Sequence, residues 1–128
     1  MAVPYVTVER GNPLNPAEPK KVYAQAKSSG ELSFRNLAKE IAEGGTTVSD
    51  SDVMAVLNDL IKVLRRNLNA GRIVRFGDFG AFQVTFKSKG VESEEKFNAS
   101  LIHSAKITFR PGEDLKKMLN NLKYKKIK

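Results

Sequence analysis

The sequence has no cysteine and only one histidine among its 128 residues. The absence of cysteine excludes disulfides, thiolate metal sites and thiol nucleophiles, and His103 alone cannot form a metal site. No apolar run approaches the roughly 20 residues of a membrane-spanning helix, and residues 1–11 lack the basic start and apolar core of a signal peptide. These absences favour a single soluble domain in a reducing, intracellular compartment.

Motifs of enzyme active sites are also missing. A nucleophile-base pair would have to use the only histidine, and the chain has no nucleophile elbow, phosphate-binding loop or zinc-protease signature. The letters GDFG at 77–80 match part of a kinase motif, but the chain is too short for that fold and lacks its companion motifs. We therefore predict a protein that is not an enzyme, with no catalytic residue, metal, cofactor or small-molecule substrate. His103 is interpreted as an ordinary surface or partly buried histidine.

Positive charge is what the sequence has in excess, with a net charge of +8. The segments 1–30, 31–71 and 72–128 carry +2, −1 and +7, so the excess lies in the second half. Such a charge attracts polyanions, which means nucleic acid or an anionic membrane surface. A basic surface kept for solubility explains the charge equally well, so the function depends on the motifs.

The first 30 residues predict a β-hairpin. Residues 3–10 and 20–28 alternate apolar and polar side chains, as half-buried strands do. The segment between them has three prolines and predicts a loop. We interpret residues 1–30 as an amino-terminal extension, and residues 31–128 as the main domain.

Two amphipathic helices are predicted over residues 33–43 and from residue 49 to Gly71. Ser33 and Ser49 are natural N-caps, and glycines follow both apolar patterns. The apolar stripe of the second helix continues for six turns at three and four spacing. It consists of Val53, Val56, Leu57, Leu60, Ile61, Leu64 and Leu68. A chain this short has little else to cover the stripe, so we expect part of it to pack on a second copy.

The second half of the chain is mainly strands. Strands are predicted over 72–76 and 81–87, with Gly77 and Gly80 marking bends or a bulge between them. A short capped helix is predicted after Ser93, and a strand over 105–110 is broken by a Pro-Gly pair. A last helix is predicted over 113–123, followed by a basic tail. The order of elements predicts an α+β protein.

Four segments, in their order and spacing, resemble the HU and integration host factor family of bacterial histone-like DNA-binding proteins. They are VSDSDV at 48–53, LNAGRIVRF at 68–76, FGAFQV at 79–84 and FRPGEDLKKML at 109–119. The resemblance covers residues 33–128, and the first 30 residues look like an HU-related group that is fused to other modules in Bacteroidetes-type bacteria. It implies an HU-like fold with a helical base and an antiparallel β-saddle, in an intertwined homodimer whose arms embrace DNA in the minor groove.

The resemblance also implies roles for individual residues. The implied DNA-binding residues are Arg72, Arg75, Lys87, Lys89, Lys106, Arg110, Lys116 and Lys117. The implied dimer core consists of Leu57, Leu60, Ile61, Leu64, Phe76, Phe79 and Phe82. The implied partners are duplex DNA, read with little sequence preference, and a second copy of the chain, without a membrane. The implied location is the nucleoid in the cytoplasm.

Two features depart from the family pattern. Residues 90–110 contain no proline, whereas the arm of the family carries a proline that wedges between base pairs. The same stretch contains Glu92, Glu94 and Glu95, and Glu113 stands where the family commonly has lysine. We therefore expect reduced DNA bending. Two alternatives stay open, a dimerisation or scaffold module with little DNA affinity and an RNA-binding protein.

Overall fold

The computed structural model describes residues 1–45 and 47–128. Within those residues the helices and strands are β1 Val3–Arg10, β2 Lys21–Ala26, α1 Phe34–Glu43, α2 Asp50–Asn69, β3 Val74–Phe76, β4 Gly80–Ser88, β5 Ile102–Pro111, α3 Glu113–Asn120 and β6 Tyr124–Lys126. Short 3-10 turns lie at 77–79, 94–96 and 99–101. The strands form two three-stranded sheets, in the orders β2-β1-β6 and β3-β4-β5. The α+β class is confirmed.

The starts of the first two helices follow from their caps. The Ser33 hydroxyl accepts a hydrogen bond from the Asn36 backbone N–H at 3.1 Å, and the Ser49 hydroxyl accepts one from the Asp52 N–H at 3.2 Å. Each bond satisfies a backbone donor that has no partner within its helix. Both predicted N-caps are confirmed. No helix among the described residues has the length and apolar character to cross a membrane.

The two helices pack on each other but bury little. Ala38 on α1 and Val53 on α2 are the only described hydrophobic side chains that are buried. Further along α2, Val56 is 65% exposed and Ile61 is 50% exposed. A single chain therefore leaves much of the predicted apolar stripe in contact with solvent.

The first sheet joins both ends of the sequence. β1 pairs antiparallel with β2, and it pairs parallel with β6, so that Val3 lies opposite Tyr124. The predicted helix over 113–123 was too long, because it ends at Asn120, and three residues of the predicted tail form β6. The end of α3 is fixed by Asn121, whose side-chain amide donates to the Lys117 carbonyl oxygen at 2.9 Å.

The second sheet is antiparallel throughout, and two close approaches require glycine beside it. A Cβ atom at Gly80 would lie 2.4 Å from the Arg110 carbonyl oxygen, and one at Gly112 would lie 2.2 Å from the Asp78 carbonyl oxygen. The Gly112 N–H also donates to the Phe79 carbonyl oxygen at 2.8 Å. The turn between β3 and β4 is therefore held against the start of α3.

A β-bulge interrupts the pairing of β4 with β5. Thr85 lies opposite Lys106, and two residues further along β4 Lys87 lies opposite His103, so β5 contains one residue more than β4 at this point. Ser104, at φ 56°, is the only described residue other than glycine with a positive φ. The predicted bends at Gly77 and Gly80 enclose a 3-10 turn, and the bulge lies elsewhere, in β5.

The arm between β4 and β5 contains two 3-10 turns, and the helix predicted after Ser93 was wrong. Ser93 makes no side-chain cap. Asn98 is extended and its side-chain oxygen accepts from the Ser100 N–H at 3.0 Å, which starts a new turn. An Asn side chain that bonds to the nearby backbone in this way competes with helix formation. The arm is joined to the sheet by the bond from the Lys89 N–H to the Leu101 carbonyl oxygen at 3.0 Å.

Candidate nucleic-acid interface

The β3-β4-β5 sheet has a polar face and an apolar face, because successive side chains of a strand point to opposite sides. Arg75 on β3 lies opposite Ala81 on β4, and Ala81 lies opposite Arg110 on β5. Side chains of residues in such positions share one face. The two arginines therefore lie on the same side of the sheet, with only the small Ala81 side chain between them.

Basic residues continue along the same face towards the arm. Lys106 lies opposite Thr85, and Lys87 lies opposite His103. The extra residue of the bulge turns His103 to the side of Lys87, since alternation without it would place Ser104 there. We call this surface the basic face, and its cationic members are Arg75, Lys87, Lys106 and Arg110.

The base of the basic face is a depression beside α3. Arg75, Gln83 and Arg110 line it together with Lys116, whose side chain comes from the helix. Among the described residues, the only ion pair joins Lys96 to Glu92 in the arm, at 3.2 Å. The cations of the basic face are thus not neutralised by carboxylates of the described chain.

Three of the predicted DNA-binding residues lie outside the basic face and its depression. The Arg72 guanidinium precedes β3 and donates to the Asn67 side-chain oxygen at 2.9 Å, at the end of α2. Lys117 follows Lys116 on α3 but does not line the depression. Lys89 follows the end of β4, where its backbone pairs with the other side of the arm. The structure therefore brings together five of the eight predicted residues.

Uncharged side chains of the basic face were missed by sequence reasoning. The hydroxyl oxygens of Thr85 and Thr108 lie 3.1 Å apart on this face. On β4, Gln83 lies between Thr85 and Ala81, the residue that separates the two arginines. The signal was present in β4, where Gln83, Thr85 and Lys87 follow one another at a spacing of two. Only the pairing register shows that Thr108 and His103 of β5 join them.

The aromatic side chains form a separate cluster. The ring centroids are 5.9 Å apart for Phe76 and Phe79, 5.6 Å for Phe79 and Phe109, and 4.9 Å for Phe82 and Phe109. By strand alternation, Phe76, Phe82 and Phe109 lie on the side of the sheet opposite to the basic face. Phe76, Phe79 and Phe109 stay 37–44% exposed in the single chain. Phe109 was not among the predicted core residues.

The other predicted core residues lie on α2. Leu57, Leu60 and Leu64 are half-buried, as is Phe82 of the sheet, and Ile61 is exposed. None of these side chains is fully covered by the single chain. They mark the side of the molecule on which apolar surface remains.

Three acidic residues, Glu92, Glu94 and Glu95, lie in the arm, beyond the basic face. Glu94 and Glu95 belong to the first 3-10 turn, and Glu92 is paired with Lys96. Across the described residues, no three His, Cys, Asp or Glu side chains are grouped so that they could hold a metal ion. The arm thus contributes negative charge without a metal site.

The chain is a small α+β unit with a basic sheet face and an aromatic cluster on the opposite side of that sheet. The family model HU-HIG, described as an HU domain fused to a wHTH, Ig or glycine-rich motif, matches residues 1–126. The chain belongs to this family. The resemblance to HU proteins is confirmed, and the match includes the first 30 residues.

A solved structure shows the same fold. It is the crystal structure, at 2.25 Å resolution, of a protein from Bacteroides vulgatus ATCC 8482 that is provisionally named a bacterial DNA-binding protein. It is similar with a TM-score of 0.67 and 11% identity over 98% of this chain and 48% of the other. The chain thus spans about half the length of that protein, and the likeness concerns the fold. No curated protein matches the sequence.

Proposed function

We propose that this HU domain is a histone-like protein that binds duplex DNA with little sequence preference through the basic face. The observation that carries the proposal is the alignment of Arg75, Arg110, Lys106 and Lys87 on one side of the β3-β4-β5 sheet, without carboxylate partners in the described part of the chain. Binding of a polyanion follows from such a surface. The matched family and the name of the similar structure support DNA as that polyanion. Binding at the nucleoid, in the cytoplasm, is part of the proposal.

Little sequence preference is expected from the chemistry of the basic face. Cationic and hydroxyl side chains contact phosphates well, and phosphate contacts fix register without reading sequence. The face is a sheet, so no recognition helix is presented to the major groove. Thr85 and Thr108 add hydroxyl donors between the cations. The protein is a binding module without a catalytic role.

Modest bending of the DNA is part of the proposal. The arm has no proline between residues 90 and 110, and it carries Glu92, Glu94 and Glu95. Proteins that kink DNA in the minor groove frequently insert an apolar side chain that unstacks a base step, and in the HU family the arm proline has this role. Energy transfer between dyes at the two ends of a short duplex should therefore rise little on binding. A large, salt-sensitive rise would contradict this part of the proposal.

We propose that the active form is an intertwined homodimer. Val56, Ile61, Phe76 and Phe79 are 43–65% exposed in the single chain. A second copy that covers the helical stripe and the aromatic cluster would remove this apolar surface from water, which stabilises the dimer by roughly 25 cal/mol per Å² buried.

The antiparallel pairing of β1 and β2 supports a hairpin extension over residues 1–30 that precedes the domain at 31–128.

A titration of duplex DNA with matched variants tests the proposal. Lys106→Ala/Arg110→Ala removes two cations of the basic face, so the slope of log affinity against log salt should fall by about 1.8, or roughly 0.9 per lost phosphate contact. Lys39→Ala/Arg66→Ala removes the same two residue types from the helices and should change the slope little. An equal reduction of the salt slope in both variants would contradict DNA binding through the basic face. No binding at about 50 mM salt, where phosphate contacts are strong, would favour a scaffold module.

A further inference from the structure

The β2-β1-β6 sheet carries an apolar groove that duplex binding by the basic face does not use. Val3, Tyr5, Ala24, Ala26 and Tyr124 line the groove. Tyr124 is 66% exposed, and Tyr5 is half-buried beside the two small alanines. Large aromatic side chains thus lie next to open space rather than in a core.

The pairing register places these residues on one face. Val3 lies opposite Tyr124, and Tyr5 lies opposite both Ala26 of β2 and Lys126 of β6. Lys126 follows Tyr124 by two residues, so alternation turns both side chains to the same side. The groove therefore has a tyrosine and a lysine on β6 next to a tyrosine on β1. We call this surface the tyrosine platform. Its members are Tyr5, Tyr124 and Lys126, and Ala24 and Ala26 of β2 flank Tyr5 on the side away from β6.

The charge around the tyrosine platform is positive. Residues 121–128 contain four lysines and no acidic residue, and residues 1–30 have a net charge of +2. Glu9 lies on the same face as Tyr5, four residues further along β1, opposite Val22. The cationic end of the platform is the end formed by β6.

We propose that the tyrosine platform binds single-stranded nucleic acid, with bases stacked on Tyr124 and Tyr5 and a phosphate held by Lys126. Aromatic rings beside a positively charged track are the combination by which sequence-tolerant single-strand binding proteins hold an unpaired strand. A duplex hides the faces of its bases, so the platform suits unpaired nucleotides. The site is on a different sheet from the basic face, and the two sites can be tested separately.

Fluorescence anisotropy with a labelled oligothymidylate of about 12 nucleotides, within the range of known single-strand site sizes, tests the proposal. Tyr124→Ala should weaken binding by about fivefold or more, because stacking contributes that much per base. Tyr124→Phe keeps the ring and should bind like the parent chain. Lys126→Ala should lower the salt slope by roughly 0.7, the value for one phosphate of a single strand.

Tyr23→Ala is the matched control. Tyr23 is opposite Val8, which places it on the other face of the same sheet, and it is 44% exposed. Its loss should leave oligothymidylate binding within twofold of the parent chain. Equal weakening by Tyr23→Ala and Tyr124→Ala, or no binding of oligothymidylate by the parent chain, would overturn the proposal.

Two further measurements keep the result unambiguous. Tyr124→Leu preserves an apolar strand residue without a ring, so weak binding by a variant with an unchanged circular dichroism spectrum and melting temperature shows loss of stacking. Lys106→Ala/Arg110→Ala should keep its oligothymidylate affinity while it loses duplex affinity. Loss of both the oligothymidylate and the duplex affinity in this variant would mean that the single strand binds to the basic face, and would overturn the proposal. Oligouridylate in the same assay shows whether the platform, once oligothymidylate binding is established, holds DNA or RNA more tightly.

Discussion

The absence of a side chain at Gly80 allows β4 to lie close to β5. A Cβ atom there would lie 2.4 Å from the Arg110 carbonyl oxygen and 2.6 Å from the Phe109 ring. Gly80→Ala should lower the free energy of unfolding by roughly 1–3 kcal/mol, the usual cost of an inserted carbon in a packed site. Urea denaturation measures this change. Gly90→Ala is the control, since a Cβ atom at Gly90 has no neighbour within 4 Å. Equal effects would contradict the steric argument.

Lys116 and Lys117 should contribute unequally to DNA binding, although both are predicted from the sequence to bind DNA. Lys116 lines the depression with Arg75 and Arg110, whereas Lys117 is outside it. Lys116→Ala should lower the salt slope of duplex binding by about 0.9, the value for one phosphate contact, and Lys117→Ala should lower it less. Duplex titrations at several salt concentrations measure both slopes. A larger effect of Lys117→Ala would mean that DNA approaches α3 from a different side.

At the scale of elements, the amino-terminal strands are expected to matter more for stability than for duplex binding. β1 holds β6 through parallel pairing, and its removal would leave β6 without its partner. Deletion of residues 1–28 should therefore lower the melting temperature while duplex affinity changes little, because the basic face lies on the other sheet. A larger loss of duplex affinity than of thermal stability would contradict this assignment.

The elements that could be predicted from sequence are those set by local chemistry. Ser33 and Ser49 cap helices through bonds to residues three positions away, and strands of the expected alternation appear at 3–10 and 81–87. β6 could not be predicted, because Tyr124 becomes a strand residue only through pairing with Val3 at the other end of the sequence. The arm helix failed because Asn98 bonds to the backbone locally.

The candidate site could be predicted from the sequence only in part. Sequence alone identified the basic residues of the second half but could not tell which of them share a face. The bulge at Ser104 reverses the alternation of β5, so the position of His103 depends on one residue with a positive φ. Arg72 lies outside the basic face, at the end of α2, where its guanidinium donates to the Asn67 side-chain oxygen.

At the scale of the whole molecule, a second copy is expected to complete the fold. Leu60 is half-buried on α2, where Val56 and Ile61 are exposed. Leu60→Asp should abolish both dimerisation and folding, because an unpaired carboxylate in a desolvated interface is strongly unfavourable. Sedimentation and circular dichroism measure the two effects. Lys62→Asp places the same charge at an exposed position of α2 and should leave both intact. A stable, folded monomer of the parent chain at micromolar concentration would contradict the proposal.

The pairing of Val3 with Tyr124 means that the β2-β1-β6 sheet can be completed only late in synthesis. β1 leaves the ribosome early, but the strand that completes its sheet is translated more than a hundred residues later. Until then, one edge of β1 offers free backbone donors and acceptors, and an open strand edge can pair with other chains. Domains generally fold as units during translation, and distant pairings form slowly. During translation, β1 should therefore gain protease resistance only after Lys126 has emerged.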